Sequence, residues 1–266
     1  MVDLSKPIIT QQDLITNLRQ LGLMPSDTVM VHSSMKAVGN MMGGPNAVMQ
    51  ALLDTLTADG TVMMYVGWEN IPDYVGELDA AAQQLFLRHH PPFDPATARA
   101  TRDHGVLVEV LRTWPGVQRS ANPEASIGAV GKQAAWITSD HPLNFGYGAG
   151  SPLAKLVETG GKVLMLGAPL DTITLLHHAE ALANMPKRTV HYTCPIIRDG
   201  QTVWVEIDDY NTGDPHADYE FYEIAEAYLA TGRGQTGKVG EAQSYLFDAA
   251  DLVDFAVRYL EERFGG

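Results

Sequence analysis

Cysteine is almost missing from this chain: Cys194 is its one thiol in 266 residues, which excludes an internal disulfide and a cysteine-rich zinc site. Cations are scarce as well. Eighteen Lys and Arg stand against 32 Asp and Glu, a formal net charge of −14 with the nine histidines counted neutral. That imbalance argues against a grip on nucleic acid or on an anionic membrane, and the same field attracts polycations. The chain has no run of eighteen apolar residues, no arginine-rich presequence, and no hydrophobic leader before Asp3 and Lys6. The expectation is a soluble, cytoplasmic protein. A Walker loop, a Gly-x-Ser-x-Gly elbow and low-complexity linkers are also missing. The pairs His89-His90 and His177-His178 do not make a metal signature, because adjacent residues on a helix point apart, so no metal is expected. Cys194 lies in the largely apolar stretch 192–197 and reads as a buried inert thiol rather than an acyl-accepting nucleophile.

What the chain does have is a globular composition, 45% apolar and 19% charged, and an alternation of strand and helix signals. Thr10 and Asp13 form a capping-box variant before Leu14, Ile15, Leu18 and Leu21, with a stop at Gly22. Strands are expected at 28–31, 61–66 and 163–166, and helices at 48–56, 105–113, 132–139 and 151–158. Between 67 and 103 the pattern breaks into an irregular insertion carrying Pro72, Pro91, Pro92 and Pro95 around an apolar helix at 80–88. A hairpin is expected from 190–197 and 202–207, with Pro195 at a sheet edge, followed by helices at 217–230 and 250–264. These signals predict an α/β fold, a single domain with a mainly parallel central sheet flanked by helices.

The most informative stretch is 160–180, where an apolar strand and a Gly-Pro turn lead into a helix. Thr174, His177 and Glu180 are three apart and form one polar ridge, with Asp171 just ahead of it. A histidine with a carboxylate one turn away is a positioned general base: the imidazole titrates near neutrality and the acid fixes its tautomer. The same residues also read as a capped helix bearing a surface ion pair. Acids gather in two other places, Glu69, Asp73, Glu77 and Asp79 in the insertion, and Asp208, Asp209, Asp214 and Asp218 after the hairpin. Facing the ridge, they make a negative site suited to a ligand with several ammonium groups; otherwise they are a solvated face. Small-residue loops at 32–36, at Arg119-Ser120 and at 146–152 can hold a pyrophosphate or an extended pantetheine arm. The run 233–237 superficially resembles the pyrophosphate loop of the common N-acetyltransferase superfamily. It lacks the preceding strand and is read as a loop.

Ordered along the chain, several motifs resemble the aminoglycoside 3-N-acetyltransferase family. They are Val31-His32-Ser33-Ser34-Met35-Lys36, Tyr65-Val66-Gly67-Trp68-Glu69, Pro92-Phe93-Asp94-Pro95, Arg119-Ser120-Ala121-Asn122-Pro123, the runs 146–153 and 163–171, Thr174 to Glu180, and the tail from Val239 to Ala249. The resemblance implies a fold distinct from that of the common N-acetyltransferases. It also implies transfer of acetyl from acetyl-CoA to the 3-amino group of a 2-deoxystreptamine aminoglycoside, a resistance activity. By motif, His177 is the implied base and Glu180 its neighbour; Thr174, with backbone amides, is the expected donor to the oxyanion. Trp68, Glu69, Asp73, Phe93, Asp94 and Asp209 are implied along the drug cleft. His32, Ser33, Ser34, Met35, Lys36, Arg119, Ser120, Tyr147 and Ser151 are implied along the coenzyme groove. The implied partners are therefore an aminoglycoside antibiotic and coenzyme A. Asn122 stands where the family often carries histidine. His178 stands where tyrosine or leucine is more usual, so either histidine is open as the base, with His177 favoured by its spacing to Glu180. Acetylation of another amine, and non-catalytic binding of a polycation, remain as alternatives.

Overall fold

The computed structural model describes residues 5–211 and 219–265. Its first helix, α1 (Gln11–Leu21), starts on the reciprocal capping box: Asp13 N donates to the Thr10 hydroxyl, and Thr10 N donates to the Asp13 carboxylate. Gly22 ends it in the left-handed region, at φ 107°, where glycine meets no steric penalty. Then follow β1 (Thr28–Ser33), the one-turn α2 (Met35–Val38), α3 (Gly44–Leu56) and β2 (Thr61–Tyr65). The insertion holds a 3-10 turn at Asp73–Glu77 and α4 (Ala80–His89). Next come α5 (Val106–Arg112), β3 (Gln118–Arg119), β4 (Ile127–Gly131), α6 (Ala134–Thr138), α7 (Pro152–Glu158), β5 (Lys162–Leu166) and α8 (Leu175–Leu182). The described chain ends with β6 (Thr189–Arg198), β7 (Gln201–Tyr210), α9 (Phe221–Ala230), β8 (Gln235–Val239), β9 (Ala242–Asp248) and α10 (Ala249–Phe264).

Among the described residues, seven strands form one sheet in the order β3-β4-β2-β1-β5-β9-β8. The three central strands, β2, β1 and β5, run parallel; β4 and β3 on one flank and β9 and β8 on the other join antiparallel. The central strands are largely apolar between their ends because both faces are covered. Val29, Val31, Val62, Met64, Leu164 and Leu166 pack into one core under α1, α3 and α5. Met30, Met63, Val163 and Met165 point the other way, into a second core with residues of α7, α8, α9 and α10. The sheet is thus the middle of three layers. No helix among the described residues is long and apolar enough to cross a membrane.

The flanking strands are where the sequence reading falls short. β3 spans two residues, β4 carries two glycines in Ile127–Gly131, and β8 is largely polar, so none has the apolar signature of the centre. The run 233–237 is not wholly a loop, since Gln235, Thr236 and Gly237 pair with β9. The hairpin is longer than expected and forms its own two-stranded ribbon, so Asp208 and Asp209 stand within β7 rather than after it. Asp214 and Asp218 lie outside the described residues.

A third, smaller cluster joins the insertion to this ribbon: Trp68, Phe93, Cys194, Ile196 and Ile207 are buried together. Phe93 N donates to Pro195 O, and the Arg119 guanidinium donates to the backbone carbonyls of Val66 and Ala98 while its Nε bonds Ser126 Oγ at 2.8 Å. The insertion is therefore pinned to the sheet at both of its ends, although α4 itself buries no residue.

Candidate active site

Strand β1 has β2 on one side and β5 on the other, so the loops leaving their carboxyl ends diverge. In an open α/β sheet a crevice forms at that point. A cleft of about 600 Å³ lies there, lined from β1 and its loop by Val31, His32, Ser33, Ser34, Met35 and Lys36. Tyr65 contributes from the end of β2, and Asp103, His104, Gly105 and Val106 from the end of the insertion and the start of α5. Ala168, Pro169, Asp171, Thr172, Thr174 and His177 come from the loop and helix after β5, and Phe221 from α9. Gly167 turns the chain out of β5 at φ 69°. A Cβ there would stand 2.6 Å from the Ala37 Cβ and 2.9 Å from that of Ala242, so only glycine lets the β1 and β5 loops close on each other.

Thr174 occupies the cap position of α8 and brings His177 and Glu180 round on one face. His177 Nδ1 and Glu180 Oε2 are 2.7 Å apart, each side chain 18% exposed. A carboxylate oxygen accepts, so the hydrogen of this bond sits on Nδ1 and Nε2 is the ring nitrogen left to face the cleft. Nε2 has no protein partner among the described residues. The ring is gripped on two sides, by Tyr147 with centroids 5.0 Å apart and by the edge-on Phe221 at 4.7 Å. His178 has the opposite surroundings. It is buried, with Nδ1 2.8 Å from the Tyr147 carbonyl, and burial lowers its pKa; it supports the loop that holds the Tyr147 ring and lines no part of the cleft.

On the other side of Tyr147 stands an acidic wall. The Tyr147 hydroxyl donates to Glu124 Oε1 at 3.3 Å, and the Tyr65 hydroxyl donates to the Glu124 carbonyl at 2.9 Å. The Glu124 carboxyl is pushed up to about 7, by burial first and then by Asp209, with Asp73 adding to the rise and the Tyr147 hydroxyl opposing it. Asp209 is also raised by burial; the backbone N–H groups of Gly146 and Tyr210 and the nearby His177 pull it back. Its carboxylate accepts from Gly146 at 3.1 Å and from Tyr210 at 2.8 Å. Tyr192 reaches the same region with a buried hydroxyl that has no partner among the described residues, and its pKa is raised by burial and by Glu124 and Asp209. In the cleft floor, burial and the neighbouring His104 depress the His32 imidazole to about 3, leaving it neutral.

The structure thus brings together His177, Glu180, Thr174, Tyr147 and the 32–36 loop, and sets Asp209 and Asp73 near them. Other expected site residues are used elsewhere. Ser120, in the buried interior, accepts from Ile127 N and bonds His141 Nδ1 at 2.9 Å. Ser151 is equally buried and caps α7 through Ala154 N. Arg119 spends its guanidinium on the two carbonyls and the hydroxyl named above and packs over the Phe93 ring. None of these three lines the cleft. Trp68 and Phe93 pack at a tilt, with ring centroids 5.5 Å apart, in the buried third cluster. Glu69 is paired with Arg102 at 3.0 Å, and Asp94 closes its own turn by accepting from Ala96 N and Thr97 Oγ1. Cys194 is buried with its thiol pushed up to about 12, the inert state expected of it. Glu124, Tyr65, His104 and Phe221 are not among the expected site residues; Tyr65 stands at the head of the 65–69 motif and Glu124 directly after the 119–123 motif, and neither position marks a site by itself.

Comparison with known proteins identifies the family. The family described as Aminoglycoside 3-N-acetyltransferase matches residues 30–261. The chain is 59% identical over 266 residues to Aminoglycoside N(3)-acetyltransferase III of Pseudomonas aeruginosa, covering 100% of this chain and 98% of that one. Among solved structures, AAC-IIIb in a binary complex with CoASH is 48% identical at a TM-score of 0.92, covering 97% of this chain and 98% of the other. AAC-VIa bound to sisomicin is 37% identical at a TM-score of 0.91, covering 98% of this chain and 100% of the other.

Proposed function

Because the chain belongs to the aminoglycoside 3-N-acetyltransferase family, we propose that it moves the acetyl group of acetyl-CoA to the 3-amino group of a 2-deoxystreptamine aminoglycoside, with His177 as general base. The observation that carries this reading is the position of one imidazole between two unlike walls. Glu180 holds Nδ1 at 2.7 Å, the ring borders the 600 Å³ cleft, and Glu124 and Asp209 stand beyond Tyr147.

The cleft suits the coenzyme. Val31, Met35, Val106, Val108, Ala168 and Pro169 offer apolar contact to a pantetheine arm, and Ser33 and Ser34 offer hydroxyls. Lys36 is the one lysine or arginine among the lining residues and is exposed, in reach of phosphate. The acidic wall suits the drug. Asp73, Glu124 and Asp209 attract its ammonium groups, and in doing so they raise the pKa of the amine that must react. A base is therefore required. The bound ammonium first gives one proton to solvent, which frees its lone pair; His177 Nε2 then takes a second proton from the neutral amine as its nitrogen attacks the thioester carbonyl carbon, and Glu180 stabilises the imidazolium. When the C–S bond breaks, the same proton passes from Nε2 to the departing thiolate. Thr174 at the head of α8 supplies a donor to the oxyanion, where the helix dipole also favours negative charge. The product amide is neutral, so the wall that drew the amine in holds it less strongly.

The test is His177→Ala in a thiol-release assay with acetyl-CoA and a panel of aminoglycosides. Turnover is expected to fall by about 10²–10⁴-fold, the usual share of a general base, while calorimetric drug affinity stays within about threefold. Turnover within about threefold of the parent enzyme would refute the assignment.

A further inference from the structure

We propose that Tyr219 is a positioning residue for the His177–Glu180 pair, acting through the second oxygen of the carboxylate; the inference rests on the reading of His177 as the base. Glu180 Oε2 accepts from His177 Nδ1 at 2.7 Å, and Glu180 Oε1 accepts from the Tyr219 hydroxyl at 2.6 Å. The direction of both bonds is forced, because an ionised carboxylate has only lone pairs to offer. With a single bond the carboxylate plane would rotate about the terminal Glu torsion, which is broad and soft. Two donors on opposite oxygens lock that plane. A locked plane holds the imidazole tautomer with Nε2 free.

The backbone explains why the tyrosine reaches this place. Glu220 is extended, at φ −120° and ψ 144°, so Tyr219 and Phe221 project to the same side. Phe221 meets the imidazole edge-on at 4.7 Å while Tyr219 meets the carboxylate. One short segment, 219–221, leading into α9 thus braces both members of the pair, though neither member belongs to it. The Tyr219 ring also packs on Phe264, with centroids 5.1 Å apart, so the hydroxyl has a rigid support.

Tyr219→Phe keeps that packing and removes only the donor. The expected result is a kcat lower by about tenfold with KM for acetyl-CoA and for the drug unchanged, as for loss of a charged hydrogen bond felt in the transition state. In a Glu180→Gln background the same substitution changes kcat by less than about twofold, because its target is already gone. An equal loss in both backgrounds, a raised KM with kcat intact, or a kcat like the parent's in the Tyr219→Phe single variant would each overturn the proposal. His177→Ala is measured alongside. If that variant keeps its turnover, the reading of the base fails; if it is inactive and the Tyr219 cycle is additive, only the role of Tyr219 fails.

Discussion

On the cleft side of His177 the lining is drawn from the ends of the parallel strands, with Ser33 to Lys36 after β1, Tyr65 at the end of β2 and the 168–174 loop after β5. On the acidic side it comes from segments outside the parallel core: Glu124 from the β3–β4 loop, Asp209 from the separate ribbon, and Asp73 from the 3-10 turn of the insertion. The first wall is fixed by backbone closure, as the tight approach at Gly167 shows. The second sets two buried acids, Glu124 and Asp209, close enough for Asp209 to raise the Glu124 carboxyl, with the exposed Asp73 at its edge. One wall is therefore a consequence of folding, and the other is a cost that folding carries. A ligand whose recognition depends on the second wall can be changed without touching the sheet.

The sharpest way to probe that difference is Glu124. Its folded pKa of about 7 lies above the ordinary value of 4.5, so the native state holds a proton that the unfolded chain releases. Stability is therefore greatest below about pH 4.5 as far as this group is concerned, and it declines as pH rises to about 7, by roughly 3 kcal/mol in all. Denaturant unfolding from pH 5 to 8 should show this fall, and Glu124→Gln should flatten it. The same variant should raise KM for the drug about tenfold and leave KM for acetyl-CoA alone. A variant that gains stability while losing drug affinity would mark the acidic wall as a functional strain. An unchanged pH slope would remove Glu124 from that role.

Asp73 belongs to the same wall but is exposed, so its contribution is screened. Asp73→Asn is expected to raise KM for the drug by about three- to fivefold at low salt, and the effect should fade as salt rises. An effect that ignores ionic strength would point to a direct, desolvated contact instead.

How much of this the sequence discloses depends on whether a residue's partners are local. The capping box of Thr10 and Asp13, the stop at Gly22 and the pair His177–Glu180 join residues within one turn, and all three stand as read. The parallel strands declare themselves because both faces must be apolar. Ser120, Ser151 and Arg119 are polar residues in small-residue loops and look like ligand contacts, yet their hydrogen bonds are satisfied internally by atoms that a linear reading does not bring near. Glu124 hides for the reverse reason. Nothing in its neighbours in sequence reveals that Tyr147 and Asp209 surround it. Spacing to Glu180 favours His177 over His178, and the two rings have different surroundings: that of His177 borders the cleft, while His178 Nδ1 lies 2.8 Å from the Tyr147 carbonyl.

The smallest effect belongs to the opposite wall. Lys36 is exposed at the cleft lined by the β1 loop, and its charge has the sign that phosphate requires. A single exposed lysine contributes modestly, because water competes for the ammonium and its long side chain loses freedom on pairing. Lys36→Ala should raise KM for acetyl-CoA about two- to threefold at low salt, converge on the parent enzyme at high salt, and leave KM for the drug unchanged. Combined with Asp73→Asn, its effect on each KM should simply multiply, since the two charges serve different ligands on different elements. A Lys36→Ala enzyme that instead weakens drug binding would mean the two walls share one electrostatic field across His177, and the division between them would have to be redrawn.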